Sequence, residues 1–305
     1  MRIVVHGQQA FGRAVLEKLL ERGENVVGVF CAPDKEGRPT DPLKELAVEK
    51  GLTVHQPASW KTPEAEALMR SFNPDICIMA YVLLFVPQNV LDVPKHGTFQ
   101  YHPSLLPDHR GPSSINWPIA MGKTKTGLTI FWPDEGLDEG PVLLQKHCDI
   151  GPDETLGDVY FKKLFPMGVD AMIEALDLVK AGKAPKIKQD LSKGSYESWF
   201  KKADAQIHWD KPAGEIYNII RAANPQPGAW TIVKGQEVSV FDASLDDSAA
   251  GAPGEIIAAD GETITVAAKK GGINIKRIRA GKAPKVSAGE FTRENAVKVG
   301  DKLGV

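Results

Sequence analysis

A chain of 305 residues predicts about two domains, each long enough to bury its own core. With 37 Lys and Arg against 39 Asp and Glu, the formal net charge of −2 argues against a protein whose main work is gripping a nucleic-acid backbone. The mean hydropathy of −0.21, the lack of any apolar run long enough to span a bilayer and the short apolar stretch at the start argue against a membrane segment or a signal peptide, and predict a soluble cytoplasmic protein.

The first residues read as strand, turn, helix. Ile3, Val4 and Val5 form a β-branched run, Gly7 and Gly12 bracket a turn, and Phe11, Val15, Leu16, Leu19 and Leu20 recur with helical period up to Gly23. Val26, Val27, Val29 and Phe30 predict a second buried strand. Asp41-Pro42 and Thr62-Pro63-Glu64 are helix starts, the first with Leu43, Leu46 and Ala47 on its apolar face and Gly51 as its stop. Ile76 to Ala80 is too apolar for a half-exposed strand. Alternating strands and helices with continuous apolar strands predict a Rossmann-like α/β fold, a mostly parallel sheet covered on both faces.

Three strand-like runs follow, Thr98 to Tyr101, Gly127 to Trp132 and Val142 to Lys146, and then an amphipathic helix from about Thr155 to Lys180 that Pro166 kinks or divides. Ala181 to Ser198 is rich in Lys, Gly, Pro and Ser and reads as a linker, placed at about 181–203 between a catalytic domain over 1–198 and a second domain over 204–305. In the second domain Ile207 to Trp209 is expected as a strand and Ala213 to Ala222 as a helix. Short strands at Thr231 to Val233, Val238 to Phe241, Glu255 to Ala258, Thr263 to Ala267 and Ile273 to Ile278 predict a small OB-like β-barrel. The hexapeptide AlaGlyLysAlaProLys occurs at 181 and again at 280 in unmatched surroundings, and is read as shared loop composition.

Gly7-Gln8-Gln9-Ala10-Phe11-Gly12 lacks the three-glycine dinucleotide spacing, and Phe30-Cys31-Ala32 stands where a ribose-binding carboxylate is needed, so NAD is not expected. Cys31, Cys77 and Cys148 are an odd number without paired spacing, and the 7 histidines show no HExxH pattern, so neither a disulfide framework nor a metal site is expected. His102 ends a strand and opens the loop Pro103-Ser104-Leu105-Leu106-Pro107-Asp108-His109-Arg110-Gly111, where ligands of open α/β sheets bind. A histidine there can meet a developing oxyanion and then move a proton. The acidic turn Asp134-Glu135-Gly136-Leu137-Asp138-Glu139-Gly140 offers a carboxylate to hold that histidine charged, because an opposite charge nearby favours the imidazolium. Periodicity does not say which carboxylate.

GlnTyrHisProSerLeuLeuPro at 100, ArgGly at 110, Asn116-Trp117 and GlyLeuAspGluGly at 136 together resemble the formyltransferases that use 10-formyltetrahydrofolate. His208-Trp209-Asp210-Lys211-Pro212-Ala213, Ile220-Arg221-Ala222 and Pro227-Gly228-Ala229-Trp230 extend the resemblance to the segment opening the barrel domain of the longer members. PheGly at 11, ValValGlyValPhe at 26, AlaProAspLysGluGly at 32 and SerIleAsnTrp at 114 are similar to the N-terminal hydrolase domain of 10-formyltetrahydrofolate dehydrogenase; methionyl-tRNA formyltransferase is also similar. The resemblance implies His102 as the catalytic histidine and Asp138 as its aspartate. It further implies Leu84, Phe85 and Val86 as the loop whose backbone recognises the pterin, with Ser104, Leu105, Leu106, Pro107 and Asp138 beside the folate, and Asn116 and Arg110 as supports or acceptor contacts. Where the transferases carry Asn two residues before the histidine, this chain has Gln100, whose amide is one methylene further out.

The implied reaction is formyl transfer from 10-formyltetrahydrofolate, the co-substrate, to water or a small amine, with no metal needed to polarise the carbonyl. The chain stops after the barrel and is not expected to oxidise the formyl group. Methionyl-tRNA formylation, sugar-amine N-formylation and a non-catalytic folate-binding module are the alternatives. The loop Ala32 to Asp41 has two basic residues against three acidic ones, so tRNA is not expected as a partner.

Overall fold

The computed structural model describes residues 1–304 as two compact units that interleave along the chain. Unit 1 comprises Met1–Ser114, Gly127–Cys148 and Lys163–Glu197; unit 2 comprises Ile115–Thr126, Asp149–Lys162 and the chain from Ser198 onward. The strands of the first sheet are β1 (Arg2–Gly7), β2 (Asn25–Phe30), β3 (Val54–His55), β4 (Ile76–Ala80), β5 (Thr98–His102), β6 (Lys125–Phe131) and β7 (Val142–Asp149). They lie in the order β3-β2-β1-β4-β5-β6-β7, parallel from β3 to β5, with β6 antiparallel to β5.

Local chemistry explains how these elements begin. Helix α1 (Gln9–Glu21) follows β1 directly, and Gly7 lets β1 and β4 close, since a Cβ there would fall 2.3 Å from the Ala80 carbonyl oxygen. That packing accounts for the glycine. Helix α2 (Pro42–Glu49) has proline in its first turn, and the Asp41 carboxylate accepts the Leu43 N–H at 2.9 Å. The Thr62 hydroxyl caps α3 (Pro63–Ser71) in the same way, accepting the Ala65 N–H at 3.3 Å. A short helix, α4 (Gln88–Leu91), precedes β5. Tyr101 stacks on Phe11 at 4.3 Å on one face of the sheet; at the carboxyl end of β1, His6 stands 4.8 Å from Trp60 in a ring cluster with Phe30. Burial in that cluster lowers the His6 pKa to about 3.

In unit 2, α5 (Asn116–Ala120) and α6 (Leu156–Val159) accompany α8 (Ala213–Ala222). The long helix expected up to Lys180 is divided: a π-helical turn at Tyr160–Leu164 separates α6 from α7 (Phe165–Lys180), and Pro166 lies in the first turn of α7. The antiparallel β-domain contains β8 (Ala229–Val233), β9 (Gln236–Val240), β10 (Ala243–Asp246), β11 (Ile256–Ala259), β12 (Ile264–Ala267), β13 (Gly272–Ile275), β14 (Arg277–Ala280) and β15 (Val286–Ser287), followed by α9 (Ala288–Glu294). They form two four-stranded sheets, β10-β13-β12-β11 and β15-β14-β9-β8.

Two strand expectations are corrected. Ile207 to Trp209 is not a strand: turns at Lys202–Ala205 and at 209–210 leave room for one bridge, Gln206 to Trp230. The run Ile273 to Ile278 is two strands in two sheets, because the N–H groups of Lys276 and Arg277 both turn to the Asp242 carbonyl, at 2.8 and 3.3 Å. The segment read as a linker is held closely to unit 1 up to Glu197. Ile187 bridges Val142, the Trp132 indole donates to the Pro185 carbonyl at 2.8 Å, and buried Gln189 donates to the carbonyls of Asp138 and Gly140 at 2.9 and 2.7 Å.

Candidate active site

β4 and β5 are neighbouring parallel strands, so the loops that leave their carboxyl ends emerge side by side. Residues two apart on a strand share a face, which puts Gln100 and His102 together and sends Tyr101 to the opposite face against Phe11. His102 is 5% exposed and Asp138 7%. The His102 Nδ1 lies 3.6 Å from Asp138 Oδ2, close for charge interaction and too long for a direct hydrogen bond. Its Nε2 is 2.9 Å from the His109 carbonyl oxygen. The same Asp138 oxygen accepts the Gly111 N–H at 2.9 Å.

Among the four carboxylates of the acidic turn, Asp138 is the one that turns in. It adopts φ +58, a left-handed conformation that Asp tolerates better than most residues. The Gln189 amide holds the main chain on either side of the turn through the Asp138 and Gly140 carbonyls. Gly140 is required by contact, since a Cβ there would sit 1.8 Å from the Trp132 carbonyl oxygen. Glu139 pairs with Arg110 at 2.6 Å, and Asp134 accepts the Gly136 N–H at 3.0 Å, so those side chains serve the loops.

The Gln100 amide makes no hydrogen bond to any described residue and is only half-buried. Ser104 is fully buried, and its hydroxyl donates to the Asp108 carbonyl at 2.6 Å. Leu106 is 4% exposed; its N–H donates to the Thr129 hydroxyl at 3.0 Å, and its carbonyl accepts from Gln145 at 2.8 Å. Ser104 and Leu106 therefore carry the loop, while Leu105 and Pro107 are half-buried at its surface. Beyond β4, the main-chain N–H and C=O groups of Leu84, Phe85 and Val86 pair with no described residue. The Phe85 ring is 55% exposed, whereas Val86 is anchored in the core. Asn116 lies in unit 2, where its amide donates to the Ala222 carbonyl at 2.9 Å.

Sequence reasoning missed three contributors, His109, Ser195 and Glu197. His109 Nδ1 is 3.1 Å from the Glu197 carboxylate, and its N–H donates to the Ser195 hydroxyl at 2.9 Å. The nearest sequence signal is the pair of glycines that lets these segments meet, Gly111 and Gly194. Among the described residues, no group of three or more His, Cys, Asp or Glu side chains is arranged to hold a metal ion. What the arrangement offers chemically is a buried imidazole with a carboxylate behind it, a free amide on the same face, and an adjacent loop with unpaired main-chain donors and acceptors.

Residues 1–176 match the formyl transferase family, and residues 200–296 match its C-terminal domain. The chain is 42% identical over 250 residues to the cytosolic 10-formyltetrahydrofolate dehydrogenase of Xenopus laevis, covering 80% of this chain and 28% of that protein. It thus spans less than a third of the dehydrogenases it matches. A methionyl-tRNA formyltransferase from Trichlorobacter lovleyi is 36% identical over 307 residues, covering 99% of this chain and 96% of that one. Among solved structures, HypX from Aquifex aeolicus, in complex with tetrahydrofolic acid, shares the fold with a TM-score of 0.70 at 21% identity, over 99% of this chain and 48% of that one. An N-formyltransferase from Helicobacter canadensis, in complex with folinic acid and dTDP-3-aminofucose, does so with a TM-score of 0.70 at 18% identity, over 92% and 100% of the two chains.

Proposed function

The chain belongs to the formyl transferase family, and from that premise we propose that it transfers the formyl group of 10-formyltetrahydrofolate to water or a small amine, releasing tetrahydrofolate. The observation that carries the reading is the buried His102–Asp138 pair, 3.6 Å apart at the carboxyl end of β5 with the free Gln100 amide on the same face. The unpaired main-chain groups of Leu84, Phe85 and Val86 fit a pterin, a flat heterocycle with donors and acceptors along its edge. The exposed Phe85 ring adds an apolar surface beside them.

In this reading the nucleophile adds to the formyl carbon, and the carbonyl electron pair moves onto oxygen. His102 and Gln100 donate to that oxygen as it gains charge, and Asp138 balances the imidazolium. Collapse of the adduct breaks the bond to N10, which takes up the proton released by the nucleophile. The products are tetrahydrofolate with formate, or with a formamide. Donors fixed before the reaction are worth more than donors that must reorganise; losing one costs about 10²–10³ in rate.

The end-to-end likeness to the methionyl-tRNA enzyme favours a second acceptor. Against it, the loop over 32–41 carries only Lys35 and Arg38 as cations, while Asp34 is paired with Lys44 and Asp41 is engaged by the N–H groups of Gln9 and Leu43. Such a loop offers little field for phosphate. Charged-tRNA formylation at low salt, run beside hydrolysis and small-amine formylation on one preparation, separates the acceptors. Tetrahydrofolate release without tRNA supports the proposal. Rapid tRNA formylation that fades with added salt moves the assignment to the tRNA enzyme.

A further inference from the structure

His109 adopts φ +54 on the loop that leaves β5, a conformation histidine keeps only where its surroundings hold it. The segment 195–197 does so. The Ser195 hydroxyl accepts the His109 N–H at 2.9 Å, and the Glu197 carboxylate lies 3.1 Å from His109 Nδ1. A parallel bridge pairs Arg110 with Tyr196, through Arg110 N–H to the Ser195 carbonyl at 3.1 Å and Glu197 N–H to the Arg110 carbonyl at 3.1 Å. The approach is so close that a Cβ on Gly111 would fall 2.3 Å from the Glu197 carbonyl oxygen, and one on Gly194 2.2 Å from that of Pro107.

What this clamp presents to the site is the His109 carbonyl oxygen, 2.9 Å from His102 Nε2. A carbonyl oxygen has no proton to give, so the contact requires the proton on Nε2. Neutral His102 is then the Nε2–H tautomer, and Nδ1, which faces Asp138 at 3.6 Å, is the nitrogen that gains the second proton of the imidazolium and is left to donate to the formyl oxygen. Resting on the formyl-transfer reading above, we infer that Ser195 and Glu197 are positioning residues for His102. They fix His109 so that its carbonyl sets both the tautomer and the orientation of the imidazole.

Nitrogen-15 NMR of the imidazole rings tests this on the whole chain without substrate, with the His102 signals assigned by their loss in His102→Asn. Neutral wild-type His102 should carry its proton on Nε2. Ser195→Ala and Glu197→Ala should mix the two tautomers and lower kcat about 10- to 100-fold, with KM for the folate little changed. Glu197→Gln keeps an oxygen that can accept from His109 Nδ1, and should retain most of the wild-type tautomer and turnover. A wild-type Nδ1–H tautomer would overturn the inference whether or not any variant folds. So would unchanged tautomer and kcat in folded Ser195→Ala and Glu197→Ala chains. Wild type that releases no tetrahydrofolate from 10-formyltetrahydrofolate, with its Nε2–H tautomer intact, would instead sink the formyl-transfer reading.

Discussion

Acidification should cost the native chain stability through His6, and a His6→Leu variant should be spared that cost. His6 is 4% exposed at the end of β1, packed against Trp60 and Phe30, and its pKa falls from 6.5 to about 3. Below about pH 6.5 the unfolded chain takes up a proton that the folded chain refuses, so stability drops as the pH falls and levels off below about 3. Between about pH 7.5 and pH 5 that difference spans ~1.5 pH units, at about 1.36 kcal/mol each, or ~2 kcal/mol. Urea unfolding followed by tryptophan fluorescence at both pH values gives the loss for each chain. The leucine variant will differ from wild type at neutral pH for packing reasons, but that offset cancels in the change with pH. Wild type should lose ~2 kcal/mol more than the variant over this interval. Equal losses would refute the view that His6 is buried neutral.

Other perturbations follow from the same contacts. Burial raises the thiols of Cys31 to about 11 and Cys77 to about 12, so a disulfide reagent should modify only partly exposed Cys148 in the native chain and reach the others on unfolding. Gly140→Ala forces a methyl to 1.8 Å from the Trp132 carbonyl oxygen and should cost at least ~1–3 kcal/mol in a denaturation experiment. Gln100→Leu should lower turnover by about 10²-fold if the amide donates to the oxyanion, with Gln100→Asn equal to or above wild type. A harmless leucine would make Gln100 a spectator.

Much of this fold was legible because its strands and helices are dictated locally. Continuous apolar runs such as Ile76–Ala80 become fully buried parallel strands, and Asp41-Pro42 and Thr62-Pro63 start helices where capping chemistry says they should. The run Ile273 to Ile278 misled because its apolar pattern passes through Lys276, and only the distant Asp242 carbonyl fixes the break there. Ala243–Asp246 has little intrinsic strand character and becomes β10 by pairing with β13. The 181–198 segment has a linker's composition, yet its buried Gln189 and the bridge from Tyr196 to Arg110 are tertiary contacts that composition does not reveal.

The site divides along the same line. The strand-end position of His102 could be read from its own neighbourhood. Family resemblance, not periodicity, singles out Asp138 among the four carboxylates; in the structure φ +58 and the Gly111 N–H turn that side chain inward. Contacts between His109 and Glu197 span 88 residues, and no local pattern announces them.

On the proposed chemistry His102 and Asp138 act as one unit on the formyl carbon. The most direct test measures tetrahydrofolate release from 10-formyltetrahydrofolate by wild type, His102→Ala, Asp138→Asn and the double variant, with folate binding measured alongside. Each single change should lower turnover by about 10²–10⁴-fold, the double change should be hardly worse than either, and binding should persist. Turnover that survives either change, or losses that multiply in the double variant, would show that the two side chains do not act as one unit.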